Sequence, residues 1–421
     1  MFAWVTIAIA LLALALNAHF WFRAMRGWFA WRRLLRRPPG PERWPQAHVL
    51  VCLKGDLPRL PETVAALRQQ EYAGPYRVSF VTEATSEDGE DAACQLAPLL
   101  VEGDHLEHVV SGRVVAAGER CAQKNWNLLQ GMRTARERHG APEVWAFCDG
   151  DLVVQSNWLA EMVRPIVAGE SEASTTFHYL EPSGSRVLHA LHGVAETCQS
   201  LASLVVRGAA WGGSMAIRAD AFERLGLERV WRRTVVDDMT LSRVLANSRL
   251  RVAAVPRFLV NGRSEIDSWR GFVKWLGRQY FFVKVYLPTH YRILWTKTCL
   301  DVATIWLGTF HVAHRLWRGT WFQDPLAAAV AIGSAVAIVS GISLFRYLLP
   351  ARPPIHSWMG ASLLAPGISL LACADSTLRR RKLQWRDLTY IVDRQGTVAH
   401  VVHQGVVVPE EVGVPVEEAA V

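Results

Sequence analysis

Between Pro45 and about Pro256 the chain alternates short apolar, β-rich runs with stretches of helical periodicity. HVLVCLKG is followed by PETVAALRQQ, and YRVSFVTE by a helical stretch around Ala92 to Leu100. EHVVSG then precedes a long helix around Gln123 to Arg138, and EVWAFCDGD closes the series. Strand and helix at these short intervals predict an α/β domain, a mostly parallel sheet with helices on both faces. In such sheets ligands sit beyond the carboxyl ends of the strands. Lys54-Gly55-Asp56, Glu83 and Asp149-Gly150-Asp151 end the first, second and fourth strands, so their charges share one rim. No GxGxxG follows the first strand, and no GxxxxGK[ST] occurs, so neither phosphate-binding glycine motif is present.

Other segments have no polar face. Phe2 to Phe22 is uncharged and long enough to cross about 30 Å of hydrocarbon as a helix. It lacks a basic n-region and a small-residue cleavage site, which favours an anchor over a cleaved signal. Pro325 to Leu344 and Ser357 to Ala374 read as two further spans joined by RYLLPARPP. Cys299 to Ala313 is shorter and carries Asp301 and His311, fitting an interfacial or buried helix. The expected organisation is an anchor over 1–23, a cytosolic domain over 45–262, amphipathic interfacial helices over 263–296, a membrane region over 297–375 and a cytosolic tail over 376–421.

Composition agrees with a soluble domain tied to a membrane: of 421 residues 51% are hydrophobic and 18 are Trp,. The net charge of +8 gathers beside apolar segments, at Arg23 to Arg37 and Arg379 to Arg386. That placement selects anionic headgroups over nucleic acid. Under the positive-inside rule it also puts domain and tail in the cytosol, at the cell (inner) membrane, and requires an even number of spans between them. The seven cysteines form no CxxC pair, so neither a zinc site nor a disulfide framework is expected.

Asp149 and Asp151 stand one residue apart, and like charges that close raise each other's pKa unless a cation intervenes. With Lys54 and Lys124 on the same rim, the pair suits Mg2+ or Mn2+ holding a diphosphate, although Asp and Gly are also ordinary turn residues. Trp211-Gly212-Gly213-Ser214 reads either as a close backbone approach to a ligand, through Gly213, or as a hairpin. VVDDMTLS puts Asp237 and Asp238 ahead of a helix that one of them can cap. SWRGFVKWLGRQYFFVKVY is basic, aromatic and amphipathic, as interfacial helices are.

In this order and spacing the residues resemble the membrane glycosyltransferases of family 2 and its offshoot family 21, most closely the ceramide glucosyltransferases, over roughly Val49 to Val401. The resemblance implies a nucleotide-diphospho-sugar transferase fold of GT-A type. It implies Lys54 and Glu83, here in place of the usual Asp, at the uridine nucleotide, and Lys124 and Asn127 near the diphosphate. Asp149 would occupy the acidic motif that Asp151 completes, and Asp238 the catalytic base. Trp275, Arg278 and Gln279 stand where the family carries (Q/R)xxRW, with only the arginine kept. Trp385 and Arg386 match the Trp-Arg-x-x-x-Tyr stretch after the last span. The implied activity is inverting transfer from a nucleotide sugar to a hydroxyl of a membrane lipid such as ceramide. A processive polysaccharide synthase would need more spans, and a non-catalytic scaffold would not need Asp149, Asp151 and Asp238.

Overall fold

The computed structural model describes residues 2–34, 43–181, 186–205, 209–320, 325–385, 388–403 and 406–407. Arg386, matched above with Trp385 to the Trp-Arg-x-x-x-Tyr stretch on the acceptor and diphosphate side, lies outside the described residues.

Helix α1 (Phe2–Leu34) precedes the α/β domain. Its sheet contains β1 (Ala47–Cys52), β2 (Tyr76–Thr82), β3 (Leu106–Val110), β4 (Val144–Asp149), β5 (Val153–Val154), β6 (Ala173–Leu180), β7 (Ser214–Arg218) and β8 (Val252–Gly262). Their order is β3-β2-β1-β4-β7-β6-β8-β5. The first four pair in parallel. β7 runs antiparallel between β4 and β6, β8 is parallel to β6, and β5 is antiparallel to β8.

Successive residues of a strand face opposite sides, and both sides here are covered. Val49, Val51 and Ala146 point to α2 (Leu60–Arg68) and α5 (Trp158–Val167). Leu50, Trp145 and Phe147 point to α4 (Gln123–His139), α8 (Leu227–Trp231) and α9 (Asp238–Asn247). Short helices α3 (Asp91–Leu96) and α7 (Ala219–Arg224) complete the layers, and α6 (Val187–Val205) links β6 to β7. Burial on both faces explains why the parallel strands read as near-continuous apolar runs.

The expected amphipathic stretch is α10 (Trp269–Tyr286), capped by Ser268, whose side chain accepts the Gly271 N–H. Three long helices follow: α11 (Pro288–Trp317), α12 (Pro325–Leu344) and α13 (Ile355–Leu378). The Cys299 to Ala313 segment is thus part of one continuous 30-residue helix. Among the described residues, three helices qualify by length and apolarity to cross a membrane: Ala3–Phe29, Pro325–Leu348 and Ile355–Leu378.

The tail forms a small antiparallel sheet of β9 (Lys382–Trp385), β10 (Leu388–Val392), β11 (Val398–His403) and β12 (Val406–Val407). It shares a core with Val235, Val236, Phe281 and Tyr286. The Val398 N–H donates to Arg233 O at 2.7 Å, which closes the tail over the start of α9.

Candidate active site

Pairing of β4 with β7 sets Cys148 opposite Ser214, and the Asp149 N–H donates to Gly213 O at 3.2 Å. The acidic turn therefore lies beside the Trp211-Gly212-Gly213 turn. The starts of α4 and α9 are tied together too. Asn125 donates to Thr234 O at 3.0 Å, and the Ala122 N–H to the same oxygen at 3.1 Å. That clamp brings Lys124, in the first turn of α4, to Asp237 and Asp238.

Lys124 Nζ lies 2.7 Å from Asp149 Oδ1 and 3.1 Å from Asp237 Oδ2, and it donates to Gly212 O at 3.2 Å. Burial alone would lower its pKa, but Asp149 and Asp237 outweigh burial and hold it well above the ordinary value. The charge standing beside Asp149 is this ammonium. Burial pushes the Asp149 carboxyl up to about 6, against the pull of Lys124 and with a further push from Asp151. Asp151 is exposed to the cavity, and desolvation by the surrounding walls, with Glu265 nearby, also raises its pKa.

Asp238 Oδ2 accepts the Gly212 N–H at 2.9 Å, and Oδ1 accepts the Met239 N–H at 2.5 Å. Its pKa rises to about 6 through burial and the neighbouring Asp237 charge. Asp237 stands at the N-cap of α9 but makes no side-chain cap bond. The two acids have separate work: Asp237 faces Lys124, and Asp238 is oriented by two N–H groups.

At two glycines the backbone lies close against neighbouring groups. At Gly150 a β-carbon would come within 2.3 Å of Leu53 Cδ2 and 3.2 Å of Cys52 O, so the acidic turn folds directly onto the end of β1. At Gly212 it would meet Asp237 Oδ1 at 2.9 Å and Asp238 Oδ2 at 3.2 Å.

Other expected residues are distributed around this centre. Lys54 lines the cavity and is ion-paired to the buried Glu83, which Arg113 also approaches at 4.0 Å. Glu83 thus sits behind Lys54. Asn127 Oδ1 accepts from Ser111 Oγ and Gln123 Nε2, each at 2.7 Å. Arg278 lies over the Trp385 ring at 5.4 Å, and both line the cavity with Trp275 and Gln279.

One wall was not foreseen. His178 stacks on Trp211 with 4.1 Å between centroids, and His178 and His192 approach Glu196 at 3.2 and 3.6 Å. Burial raises the Glu196 pKa, but His178 and His192 outweigh it and hold the carboxyl at about 2. The single sequence signal was the i, i+4 spacing of His192 and Glu196 on a helix.

The cavity is about 920 Å3 and runs from Lys54, Asp149 and Asp238 to Phe20 and Trp21 of α1, Lys297 of α11 and Phe345 just after α12. One chamber joins the carboxylate cluster to the interior of the helical bundle. Among the described residues no group of three or more His, Cys, Asp or Glu side chains is arranged to hold a metal ion. Asp149 and Asp151 provide two carboxylates, the usual protein share when phosphate oxygens and water complete the shell of Mg2+.

Comparison with known proteins places this architecture. No curated protein sequence matches the chain. Among solved structures it is similar to the mannosyltransferase PcManGT from Pyrobaculum calidifontis, in complex with GDP-Man and Mn2+. The two are 17% identical over 88% of this chain and 99% of that one, with a TM-score of 0.46. It is also similar to glucosyl-3-phosphoglycerate synthase from Mycobacterium tuberculosis, in complex with phosphoglyceric acid. Here identity is 11% over 53% of this chain and 73% of that one, with a TM-score of 0.34. The model of glycosyl transferase family 21 matches residues 4–398. Nearly the whole chain, from the first helix through the GT-A-type sheet to the tail strands, belongs to glycosyl transferase family 21.

Proposed function

We propose that the protein moves a sugar from a nucleotide sugar, a UDP-sugar by resemblance, to a hydroxyl of a membrane lipid such as ceramide, with inversion at the anomeric carbon. The observation that carries this reading is the single chamber between the carboxylates and the bundle. A soluble acceptor needs no apolar wall of Phe20, Trp21, Ile342 and Phe345 in the same cavity as a catalytic carboxylate, whereas a lipid needs one. The Arg-rich flanks support a catalytic domain on the cytosolic side.

In this reading the donor lies along the strand ends, with Lys54 at the nucleotide and Lys124 at the diphosphate. Asp238 takes the proton from the acceptor hydroxyl as that oxygen attacks. The two N–H groups on Asp238 fix its orientation, and a pKa of about 6 makes it a stronger base than an ordinary carboxylate while leaving it ionised near neutrality. Arg278 faces the charge that builds on the departing diphosphate. A divalent cation held by Asp149 and Asp151 would supply further neutralisation of that diphosphate.

The cation has a test independent of turnover. Asp149 has a folded pKa of about 6, above the roughly 3.9 of an unfolded Asp. The native state binds this proton more tightly, so the stability the group confers is complete below about pH 4 and lost as pH rises through about 6. A cation with UDP replaces the missing positive charge at neutral pH. The thermal midpoint in detergent should rise on adding Mn2+ and UDP, and rise more at about pH 7.5 than at about pH 5. Equal shifts at both pH values would remove the cation from Asp149.

Incubating purified protein with a panel of nucleotide sugars and a total lipid extract, followed by mass spectrometry, tests the activity itself. A lipid heavier by one hexosyl unit is expected. Long polymer, or sugar released only to water, would overturn the assignment.

A further inference from the structure

Hydropathy and geometry disagree about which helices cross the bilayer: α13 has the length and apolarity of a span, and α11 falls short. We infer that α1, α11 and α12 make three crossings and that α13 lies in the membrane plane, its outer face among the acyl chains of the leaflet next to the catalytic domain.

Contacts along α1 give a scale of depth. Trp28 packs on Phe258 of β8 with 6.0 Å between centroids, so this end of α1 is at the catalytic domain. About one turn deeper, Ala24 shares a core with Leu201 of α6 and with Phe345. Phe20 meets Phe345 at 6.4 Å, and a β-carbon on Gly341 would come within 2.2 Å of the Trp21 ring. The C-terminal end of α12 is therefore the end near the catalytic domain.

Its other end is remote. Helix α11 starts directly after α10, on the catalytic side, and its first turns meet the end of α13: the Tyr291 hydroxyl donates to Cys373 O at 3.0 Å and Trp295 Nε1 to Thr377 Oγ1 at 3.1 Å. Further on, Asp301 accepts from Asn17 at 2.6 Å. A β-carbon on Gly308 would meet that of Ala331, near the start of α12, at 2.9 Å. From Pro288 to Gly308 the helix advances about 30 Å, the thickness of the hydrocarbon core. Thus α11 runs away from the catalytic domain and α12 returns.

Helix α13 starts where α12 returns, and along its length it stays against α6 of the catalytic domain and the interfacial α10. Near its start Trp358 covers Gly193 of α6, and Gly360 faces Val187. Near its end the Tyr280 hydroxyl donates to Ser369 Oγ at 3.2 Å, and Lys284 Nζ to Ser376 O at 2.6 Å, both from α10. A crossing helix of this length would carry one end about 30 Å away from that domain. The apolar residues left over, Ile355, Met359, Leu363, Leu364, Leu371 and Leu378, are exposed. Arg379, Arg380, Arg381 and Lys382 follow directly, placed for anionic headgroups. These features commit the exposed face to a lipid surface.

Hydropathy misjudges α11 because its polar residues face inward. Thr298, Asp301, Thr304 and His311 are buried, Asp301 is paired with Lys297 at 2.5 Å, and Trp306, Phe310 and Trp317 face outward. Polar groups within a membrane take this inward arrangement. Charge is neutral on the question, since Arg315 and Arg318 flank one turn and Arg346 and Arg352 the other.

Sidedness of the two turns decides it. With Cys299 replaced by Ser, the exposed Cys94 on the catalytic domain is the internal reference. Arg318→Cys and Arg352→Cys are introduced singly and treated with a membrane-impermeant maleimide, in closed vesicles of known orientation and after opening them. A native-like melting temperature certifies each variant, and Thr320→Cys and Ala351→Cys replace either that fails. Labelling of position 318 from the side opposite Cys94, and of 352 from the same side, is the expected result. The reverse pattern, in which α12 and α13 form the hairpin, overturns the inference. So does finding both turns on one side.

Discussion

Asp238→Asn should lower turnover by roughly 10²-fold or more while leaving nucleotide-sugar affinity nearly unchanged. The amide keeps the shape of the carboxylate but cannot take a proton. It also turns one of two N–H acceptors into a donor, facing either Gly212 or Met239, so a loss of about 1 kcal/mol in stability is expected alongside. That structural cost is far too small to explain the rate. In wild-type enzyme kcat/KM should fall toward acid with a midpoint near 6, the Asp238 value, because only the ionised form accepts the proton. Asp237→Asn is the control. Asp237 pairs with Lys124 at 3.1 Å, so its loss should weaken donor binding and cost less turnover. Equal loss of kcat at both positions would assign the pair to folding instead of proton transfer. A fully active Asp238→Asn enzyme would remove the base.

Lys124→Met should be the most damaging single change to both stability and activity. The ammonium serves Asp149, Asp237 and Gly212 O at once, and removing one partner of a buried pair costs about 3–5 kcal/mol. The thermal midpoint at neutral pH should drop by several degrees or more. The sign of the pH dependence follows from the remaining acids. Without Lys124 the Asp149 pKa rises further, the native state binds its proton still more tightly, and the lost stability returns as pH falls. Adding Asp149→Asn to Lys124→Met should recover stability without activity. An unchanged midpoint at neutral pH would mean that the ammonium contributes nothing to the fold.

The parallel half of the fold was legible because β1, β2 and β4 are largely buried on both faces and read as apolar runs separated by helical periodicity. The antiparallel half was not. Insertion of β7 between β4 and β6 is a long-range fact that no local pattern encodes. The carboxylates were legible because acids at strand ends must converge on one rim. Their counter-charge was less so. Lys124 is visible in the sequence, but its position beside Asp149 depends on the Asn125 clamp between α4 and α9. Glu83 had a role by resemblance, whereas its pairing with Lys54 depends on how β1 and β2 register. The His178, His192 and Glu196 wall joins β6 to α6, in the half of the sheet whose order was hidden. Arg278 and Trp385 are distant in sequence, and their ring contact appears only once the tail sheet closes over α10.

The stereochemistry of the product tests the central claim most directly. A single displacement with Asp238 as base inverts the anomeric carbon, so an α-linked UDP-sugar should give a β-linked glycolipid, read from the anomeric proton coupling of the purified product by NMR. An α-linked product would require a second displacement or a different path, and would contradict the account.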